Sequence, residues 1–358
     1  MAVHFHQLKI ATIKKETADC VSITFGVPEN LQEAFVFEQG QNITIKINID
    51  GEEIRRSYSI CSAPFENVLK VAVKKVDGGK FSTYANEVLK AGDELDVLPP
   101  TGRFNSVLNS NHKKRYLAFA AGSGITPILS IIATTLHTEP GSSFTLVLGN
   151  QSRLSIIFFE ELEAIKNKYL QRFNFINILS REKTDAPINS GRIDASKLEA
   201  LTKLIDYNNT DEIFICGPEA MIFCVKDFLT QKGINKKHIH FELFTTPGMN
   251  KAESKKQKAK SDTGPKSNIT IKLDGRSFDF DLAFNNESIL DAALKQGADL
   301  PFACKGGVCC TCKAKLISGE VEMDVNWGLE QEEIEQGFIL TCQSHPKTEK
   351  VVVDFDIK

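Results

Sequence analysis

The chain has 358 residues, which at roughly 100–200 residues per domain points to two or three domains. Its 42% hydrophobic and 25% charged composition excludes a disordered chain or a fibre. A formal net charge of −3 leaves no nucleic-acid footprint at whole-chain level.

The first hundred residues read as β. Ile43–Ile49 alternates with period two and Asp50-Gly51 closes it with a turn signal; Leu69–Val73 alternates again. Short strands at this spacing predict an antiparallel barrel. One helix interrupts, Ser82–Leu89, with Ser82 or Thr83 placed to cap it. From residue 115 strand and helix alternate: strand Tyr116–Ala120, helix Pro127–Leu136, strand Phe144–Gly149, helix Ile157–Lys168, strand Phe175–Ser180, helix Ala195–Leu204, strand Ile213–Cys216, helix Glu219–Lys232. That rhythm predicts a parallel sheet with helices on both faces. Tyr116–Thr138 carries no Asp, Glu, Lys or Arg. Gly122-Ser123-Gly124 and Thr126-Pro127 break it, so a buried strand, a loop and a buried helix explain it better than a membrane span.

Charge then marks the organisation. Residues 250–266 hold six Lys against Glu253 and Asp262 and no large apolar side chain, the composition of a mobile linker. Residues 267–358 hold nine Lys/Arg and sixteen Asp/Glu, while residues 1–249 balance at 28 each. The acidic tail opens with strand Ile269–Leu273, turns at Asp274-Gly275, returns through Ser277–Asp281, and continues with helix Ser288–Gln296 and a last strand Val351–Phe355. A small sheet wrapped on one helix fits this order.

Nine cysteines are present, an odd number, and no basic region followed by an apolar run opens the chain. Both point to a reduced, cytoplasmic setting in which clustered cysteines bind metal. Cys304, Cys309 and Cys312 form C-x4-C-x2-C, and Cys342 follows 29 residues on. This is the plant-type [2Fe–2S] spacing. Two irons need four thiolates, and Gly306 and Gly307 permit the positive φ angles of a loop that wraps a cluster. Zinc is the rival metal, but zinc ribbons prefer two C-x2-C knuckles and only one pair here has that spacing. Buried structural thiols are the bland alternative. Cys310 is the spare: a role in tuning the cluster is one reading, and a small side chain turned into the core is the favoured one.

With these motifs in view, the tail resembles a plant-type ferredoxin domain of the β-grasp fold, and the first 245 residues resemble the ferredoxin–NADP reductase family. The resemblance implies an antiparallel β-barrel binding FAD (1–107), an α/β parallel-sheet domain binding the nucleotide (108–246), a linker (247–267) and a ferredoxin domain (268–358). Arg56-Ser57-Tyr58-Ser59 is similar to the family's flavin motif, which implies Tyr58 packed on the isoalloxazine, Ser59 facing its N5 region and Arg56 on the pyrophosphate. The segment from Val73 through Gly79, Lys80, Phe81 and Ser82 resembles the rest of that site, with helix N–H groups offered to phosphate. Pro99–Phe104 resembles the closing barrel segment. Gly122-Ser123-Gly124-Ile125-Thr126-Pro127 puts Pro127 where the third glycine of a Rossmann loop would stand, as the family does. The resemblance sets Thr126 near nicotinamide and flavin, and Cys216 of Cys216-Gly217-Pro218-Glu219-Ala220-Met221 beside the nicotinamide.

Ser180-Arg181-Glu182 is similar to the sequence by which NADPH-using members hold the 2′-phosphate. Arg153 adds to it, which favours NADPH over NADH. Glu242 and Phe244 resemble residues near the flavin in relatives with a C-terminal ferredoxin. The order of domains covers essentially the whole chain and resembles the reductase component of multicomponent oxygenases, an NADPH–FAD–[2Fe–2S] chain feeding a diiron oxygenase, with no nucleic-acid or membrane partner. A stand-alone reductase of soluble acceptors and a redox-sensing regulator are the other readings.

Overall fold

The computed structural model describes residues 4–244, 265–284 and 286–357. The expected linker lies outside the described residues from 247 to 264. Two compact units form: a larger one of Gln7–Ile54 and Tyr58–Phe244, and a smaller one that contains the C-terminal residues.

In the larger unit, β1 (His6–Thr17), β2 (Cys20–Gly26), β3 (Asn42–Ile49), β4 (Glu52–Ser59), β5 (Leu69–Lys74) and β6 (Glu94–Val97) make one sheet in the order β4-β3-β6-β1-β2-β5. An antiparallel bridge from Ile60 to Val71 joins the end of β4 to β5 and closes the sheet on itself. Asp50 and Gly51 take φ of 53° and 78°, the left-handed pair that a two-residue hairpin needs, which is why Asp-Gly stands there. The register of β1 against β2 shifts between Ile10 and Thr12 and again between Lys15 and Thr17. Each irregularity spoils strict alternation, so this hairpin is poorly marked in the sequence. Helix α1 runs Lys80–Glu87, two residues earlier than expected. Gly78, at φ 68°, turns the chain sooner, and Gly79 rather than Ser82 or Thr83 sits at the N-cap.

The parallel sheet follows: β7 (Arg115–Ala121), α2 (Ile125–Thr138), β8 (Ser143–Asn150), α3 (Phe159–Lys168), β9 (Phe173–Leu179), α4 (Ala195–Leu201), β10 (Glu212–Gly217), α5 (Glu219–Gln231) and β11 (Ile239–Leu243). Its strand order is β11-β10-β7-β8-β9. The charge-free stretch is a buried strand, a tight turn and a buried helix, and no helix among the described residues is long and apolar enough to cross a membrane. Helix α3 starts two residues later than expected because Phe158 takes a left-handed φ of 61°. Phe119, Phe144 and Phe173 are fully buried, each contributing about 1.5–3 kcal/mol of burial. Cys20 and Cys61 share this core, and burial pushes the Cys20 thiol up to about 12.

In the smaller unit β12 (Lys266–Leu273) and β13 (Arg276–Ala283) form a hairpin through Asp274 and Gly275, again a left-handed pair. Helix α6 is Ile289–Lys295, and the Ser288 hydroxyl accepts the Asp291 N–H as its cap. β14 (Lys313–Ser318), β15 (Val321–Met323), α7 (Gln331–Glu335), β16 (Phe338–Leu340), β17 (Ser344–Pro346) and β18 (Lys350–Asp354) complete it. The main sheet runs β13-β12-β18-β14-β16, with β12 and β18 parallel. Ile289, Leu290 and Ala293 of α6 pack with Ile269, Ile271 and Val351, the sheet-on-helix grasp expected of the tail.

Candidate functional site

The parallel sheet reverses its winding between β7 and β10, so the loops leaving their C-terminal ends part and open a crevice. Gly122-Ser123-Gly124 leaves β7 and Gly217-Pro218 leaves β10. The two loops press together. A Cβ on Gly124 would stand 2.1 Å from the Cys216 carbonyl oxygen, and one on Gly217 2.8 Å from Met221 Cε. Only backbone fits at Gly124, which holds the loop at its neighbour's main chain. Pro127 lies in the first turn of α2, where no N–H is missed, and the Thr126 hydroxyl donates to Ser123 O at 3.0 Å.

Three chain segments meet at this edge. Cys216 is fully buried and pairs in register with Glu242 of β11. Burial, and then the Glu242 carboxylate, push its thiol well above the ordinary range, so it stays protonated. On the barrel side, Ser59 donates its hydroxyl to Glu242 Oε2 at 3.0 Å. Ser59, Cys216 and Glu242, far apart in sequence, are brought together. Phe244 stands just beyond β11 and is 40% exposed.

Tyr58 precedes Ser59 and is half-buried, its ring centroid 5.4 Å from that of Phe81. Phe81 and Val73 themselves are buried in the barrel core. Their side chains support the site from behind, and the main chain is what these positions offer a ligand; the Val73 carbonyl accepts from Asn86 Nδ2 at 3.0 Å. Arg56 is half-buried and donates to Arg55 O at 2.8 Å. Ser82 is not a cap: its hydroxyl accepts the Val76 N–H at 3.1 Å and donates to Gly79 O at 3.2 Å, tightening the loop ahead of α1. Lys80 pairs with Glu52 of β4.

A residue that the sequence did not mark also reaches the crevice. Lys74 Nζ lies 4.0 Å from where a Cβ on Gly122 would stand, and 3.5 Å from Asp19 Oδ2. Asp19 is itself held by the Thr17 hydroxyl at 2.7 Å. A cation is thus held over the glycine loop. No local pattern announces a contact between residues 74 and 122.

The outer corner is built from the ends of β8 and β9. Ser180 donates its N–H to Asn150 O at 2.9 Å and Arg181 to Gln151 O at 2.8 Å. Arg153 rests its guanidinium 4.8 Å over the Phe159 ring. Ser180, Arg181 and Arg153 are all exposed, and a cavity of about 260 Å³ beside Arg153 is lined by both signs of charge, Lys14 and Lys15 with Glu16, Glu160 and Glu161.

The cysteine loop is a separate site. Its thiols stand two by two: the Cys304 N–H donates to Cys309 Sγ at 3.5 Å, and Thr341, next to Cys342, donates its N–H to Cys312 O at 3.2 Å. Hydrogen bonding within the pair holds the Cys309 thiol down, and the same bond with burial pushes Cys304 up. Cys342 is lowered by Cys312, whose own thiol is raised well above the ordinary range. Backbone N–H groups aim at sulfur: Gly306 to Cys304 at 3.2 Å and Cys304 to Cys309 at 3.5 Å. The left-handed positions are Lys305, Gly307 and Cys310, not Gly306 as expected. A Cβ on Gly307 would stand 2.9 Å from Val325 O, so the glycine there serves both conformation and space. Cys310 is not turned into the core; it is half-buried and donates to Gly328 O. Its left-handed φ of 55° carries the side chain to the 326–328 loop.

Paired thiols with N–H groups aimed at sulfur fit a two-iron cluster, in which each iron takes two protein thiolates.

Fold and site together define a pyridine-nucleotide-dependent flavin and iron–sulfur reductase. Known proteins agree with this. The oxidoreductase FAD-binding domain model matches residues 7–106, the oxidoreductase NAD-binding domain model 119–227, and the 2Fe-2S iron-sulfur cluster binding domain model 271–347. The chain is 48% identical over 355 residues to one of the subunits of 1,2-phenylacetyl-CoA epoxidase from Escherichia coli (strain K12), covering 99% of this chain and 98% of that one. It is 32% identical to the ferredoxin reductase component of 3-ketosteroid-9-alpha-monooxygenase from Rhodococcus rhodochrous, over 97% and 96% of the two chains.

Among solved structures, phthalate dioxygenase reductase, described as a modular structure for electron transfer from pyridine nucleotides to [2Fe–2S], matches at 25% identity and TM-score 0.59 over 98% of each chain. An intact type IV self-sufficient cytochrome P450 monooxygenase shares the fold at 20% identity and TM-score 0.70, over 98% of this chain and 41% of its own. The chain belongs to the ferredoxin–NADP reductase-type oxygenase reductases that end in a plant-type ferredoxin domain, and its cofactors are FAD, NAD(P)H and a [2Fe–2S] cluster.

Proposed function

We propose that this chain draws electrons from NADPH and delivers them singly to the diiron oxygenase subunits of a phenylacetyl-CoA epoxidase in the cytoplasm. The substrate reading is supported by the 48% identity, over nearly the full length, to a component of such an epoxidase. The compartment is supported by nine cysteines without a disulfide. When bound, FAD accepts an electron pair from the nucleotide and the [2Fe–2S] cluster carries one electron at a time.

The chain's residues do the rest. In this reading residues 1–107 hold FAD, 108–246 the nucleotide and 268–358 the cluster, with 247–267 as tether. Tyr58 offers its ring face to the isoalloxazine and Ser59, held by Glu242, sets the hydroxyl that faces it. Arg56, Gly79 and the first N–H groups of α1 take the FAD phosphates. Gly122, Gly124, Gly217, Pro218 and Met221 shape the crevice for the dinucleotide, and Lys74 adds charge over it. Thr126 and the protonated Cys216 flank the nicotinamide, and Phe244 lies near the flavin ring. Ser180, Arg181 and Arg153 hold the 2′-phosphate. Cys304, Cys309, Cys312 and Cys342 ligate the cluster.

The observation that carries the electron-transfer reading is the meeting of Ser59, Glu242 and Cys216 at the switch point of a chain that also carries two thiol pairs. The test is a pull-down with the host's oxygenase subunits, followed by NADPH oxidation. Phenylacetyl-CoA should stimulate oxidation only when those subunits are present. Stimulation by a different oxygenase and substrate, with none by phenylacetyl-CoA, rejects the assignment.

A further inference from the structure

Glu182 follows Ser180 and Arg181, and its Oε2 accepts the backbone N–H of Arg153 at 2.6 Å. The parallel ladder of β8 and β9 ends where Asn150 pairs with Leu179. Beyond it two backbone bonds carry the register on, from Ser180 to Asn150 and from Arg181 to Gln151. Glu182 then supplies a third cross-link through its side chain, where the backbone ladder has run out. The turn that it grips is closed on itself: the Ser155 hydroxyl accepts the Ser152 N–H at 3.0 Å and donates to Ser152 O at 2.7 Å. Arg153 is therefore fixed from two sides, its backbone by Glu182 and its guanidinium by the Phe159 ring at 4.8 Å. The Arg181 main chain is fixed through Gln151, and its exposed side chain extends from that fixed point.

Exposed arginines on two separate loops would otherwise lose side-chain and loop freedom on closing around an anion. A carboxylate beside a phosphate monoester is also unfavourable in itself. Engaging it on an N–H group holds it in a fixed place and offsets part of its charge.

We propose that Glu182 is a positioning residue for nucleotide choice: by tying the Arg153 turn to the Ser180–Arg181 strand end, it presets the spacing of the two guanidinium groups for a ribose 2′-phosphate. This rests on the reading that the enzyme uses NADPH. It assigns Glu182 no contact with the nucleotide.

The test uses the flavin-loaded full-length protein, with adenosine 2′,5′-bisphosphate and 5′-AMP as calorimetric probes and NADPH and NADH in ferricyanide reduction. Wild type should bind the bisphosphate at least about tenfold more tightly than 5′-AMP, the scale of one charged hydrogen bond. Glu182→Ala should weaken the bisphosphate and raise KM for NADPH by about fivefold or more, with kcat, KM for NADH and 5′-AMP binding within about twofold. Glu182→Gln keeps an acceptor oxygen for the Arg153 N–H and should stay within about twofold of wild type throughout.

Retained discrimination in Glu182→Ala overturns the inference. So does an equal shift for both probes, which would mean general loosening of the corner. Matching behaviour of the Ala and Gln variants does so too, since charge rather than the tether would then be at work. Wild type binding both probes alike would refute the NADPH reading itself, and is told apart because no variant is needed to see it.

Discussion

The crevice of the parallel sheet and the cysteine loop solve opposite problems. The crevice is preset by backbone: Gly124 leaves no room for a Cβ against Cys216, and Ser59 already engages Glu242. The cysteine loop has its N–H groups aimed at sulfur and its four thiols set two by two, for a cluster to complete. One site is rigid because main chain packs on main chain. The other gains its full set of bonds only when iron replaces the thiol protons. The first is therefore vulnerable to added volume, and the second to loss of a single sulfur.

The largest effect should come from the cysteine loop. Cys309→Ser should cut NADPH-dependent cytochrome c reduction by about a hundredfold or more while ferricyanide reduction stays near wild type. Loss of both activities would mean that the two regions do not work in series.

Gly124→Ala strikes the crevice. With a backbone oxygen 2.1 Å from the new Cβ, the strain should approach the upper end of about 1–3 kcal/mol, seen as a lower Tm and a large loss of kcat/KM for NADPH. A variant as stable and active as wild type would show that the loops are not interlocked. Ser59→Ala removes one hydroxyl bond to a carboxylate, about 1.5 kcal/mol, and should slow flavin reduction by about tenfold in rapid mixing with little change in nucleotide affinity.

How much of this was legible in the sequence follows from range. The Asp-Gly turns, the strand–helix alternation after residue 115 and the cysteine spacing are local, and each is written in a few consecutive residues. The β1–β2 hairpin is also local, but its irregular register broke the alternation that would have marked it. Ser82 shows the limit of cap signals: Gly78 turns the chain early, and the hydroxyl closes a loop instead. The motifs of the resemblance named Ser59, Cys216 and Glu242 singly, but not the hydrogen bond between Ser59 and Glu242. Lys74 over Gly122, and Glu182 on Arg153, depend on how separate segments pack, and no window of sequence contains them.

The smallest effect lies at the opposite, structural end of the parallel sheet. Glu139 is fully buried and accepts from Asn109 N–H, Tyr116 Oη and Ser142 Oγ, with His112 Nδ1 at 2.8 Å. Burial alone would raise its carboxyl, but these bonds outweigh it and hold it below the ordinary value. A depressed carboxyl contributes stability above the unfolded value near 4.3, which is lost as pH falls through the folded one. Glu139→Gln should flatten the acid limb of a Tm-against-pH curve without touching ferricyanide activity at neutral pH. An unchanged acid limb would place the acid sensitivity elsewhere.

The central claim is that both sites serve one electron path within a single chain. Anaerobic rapid mixing of the holoprotein with NADPH, followed by visible absorption and electron paramagnetic resonance, tests it most directly. Flavin bleaching should come first and the signal of a reduced [2Fe–2S] cluster second, with about two irons and one flavin per chain. A colourless zinc protein, or a flavin that bleaches while the cluster stays oxidised, would contradict it.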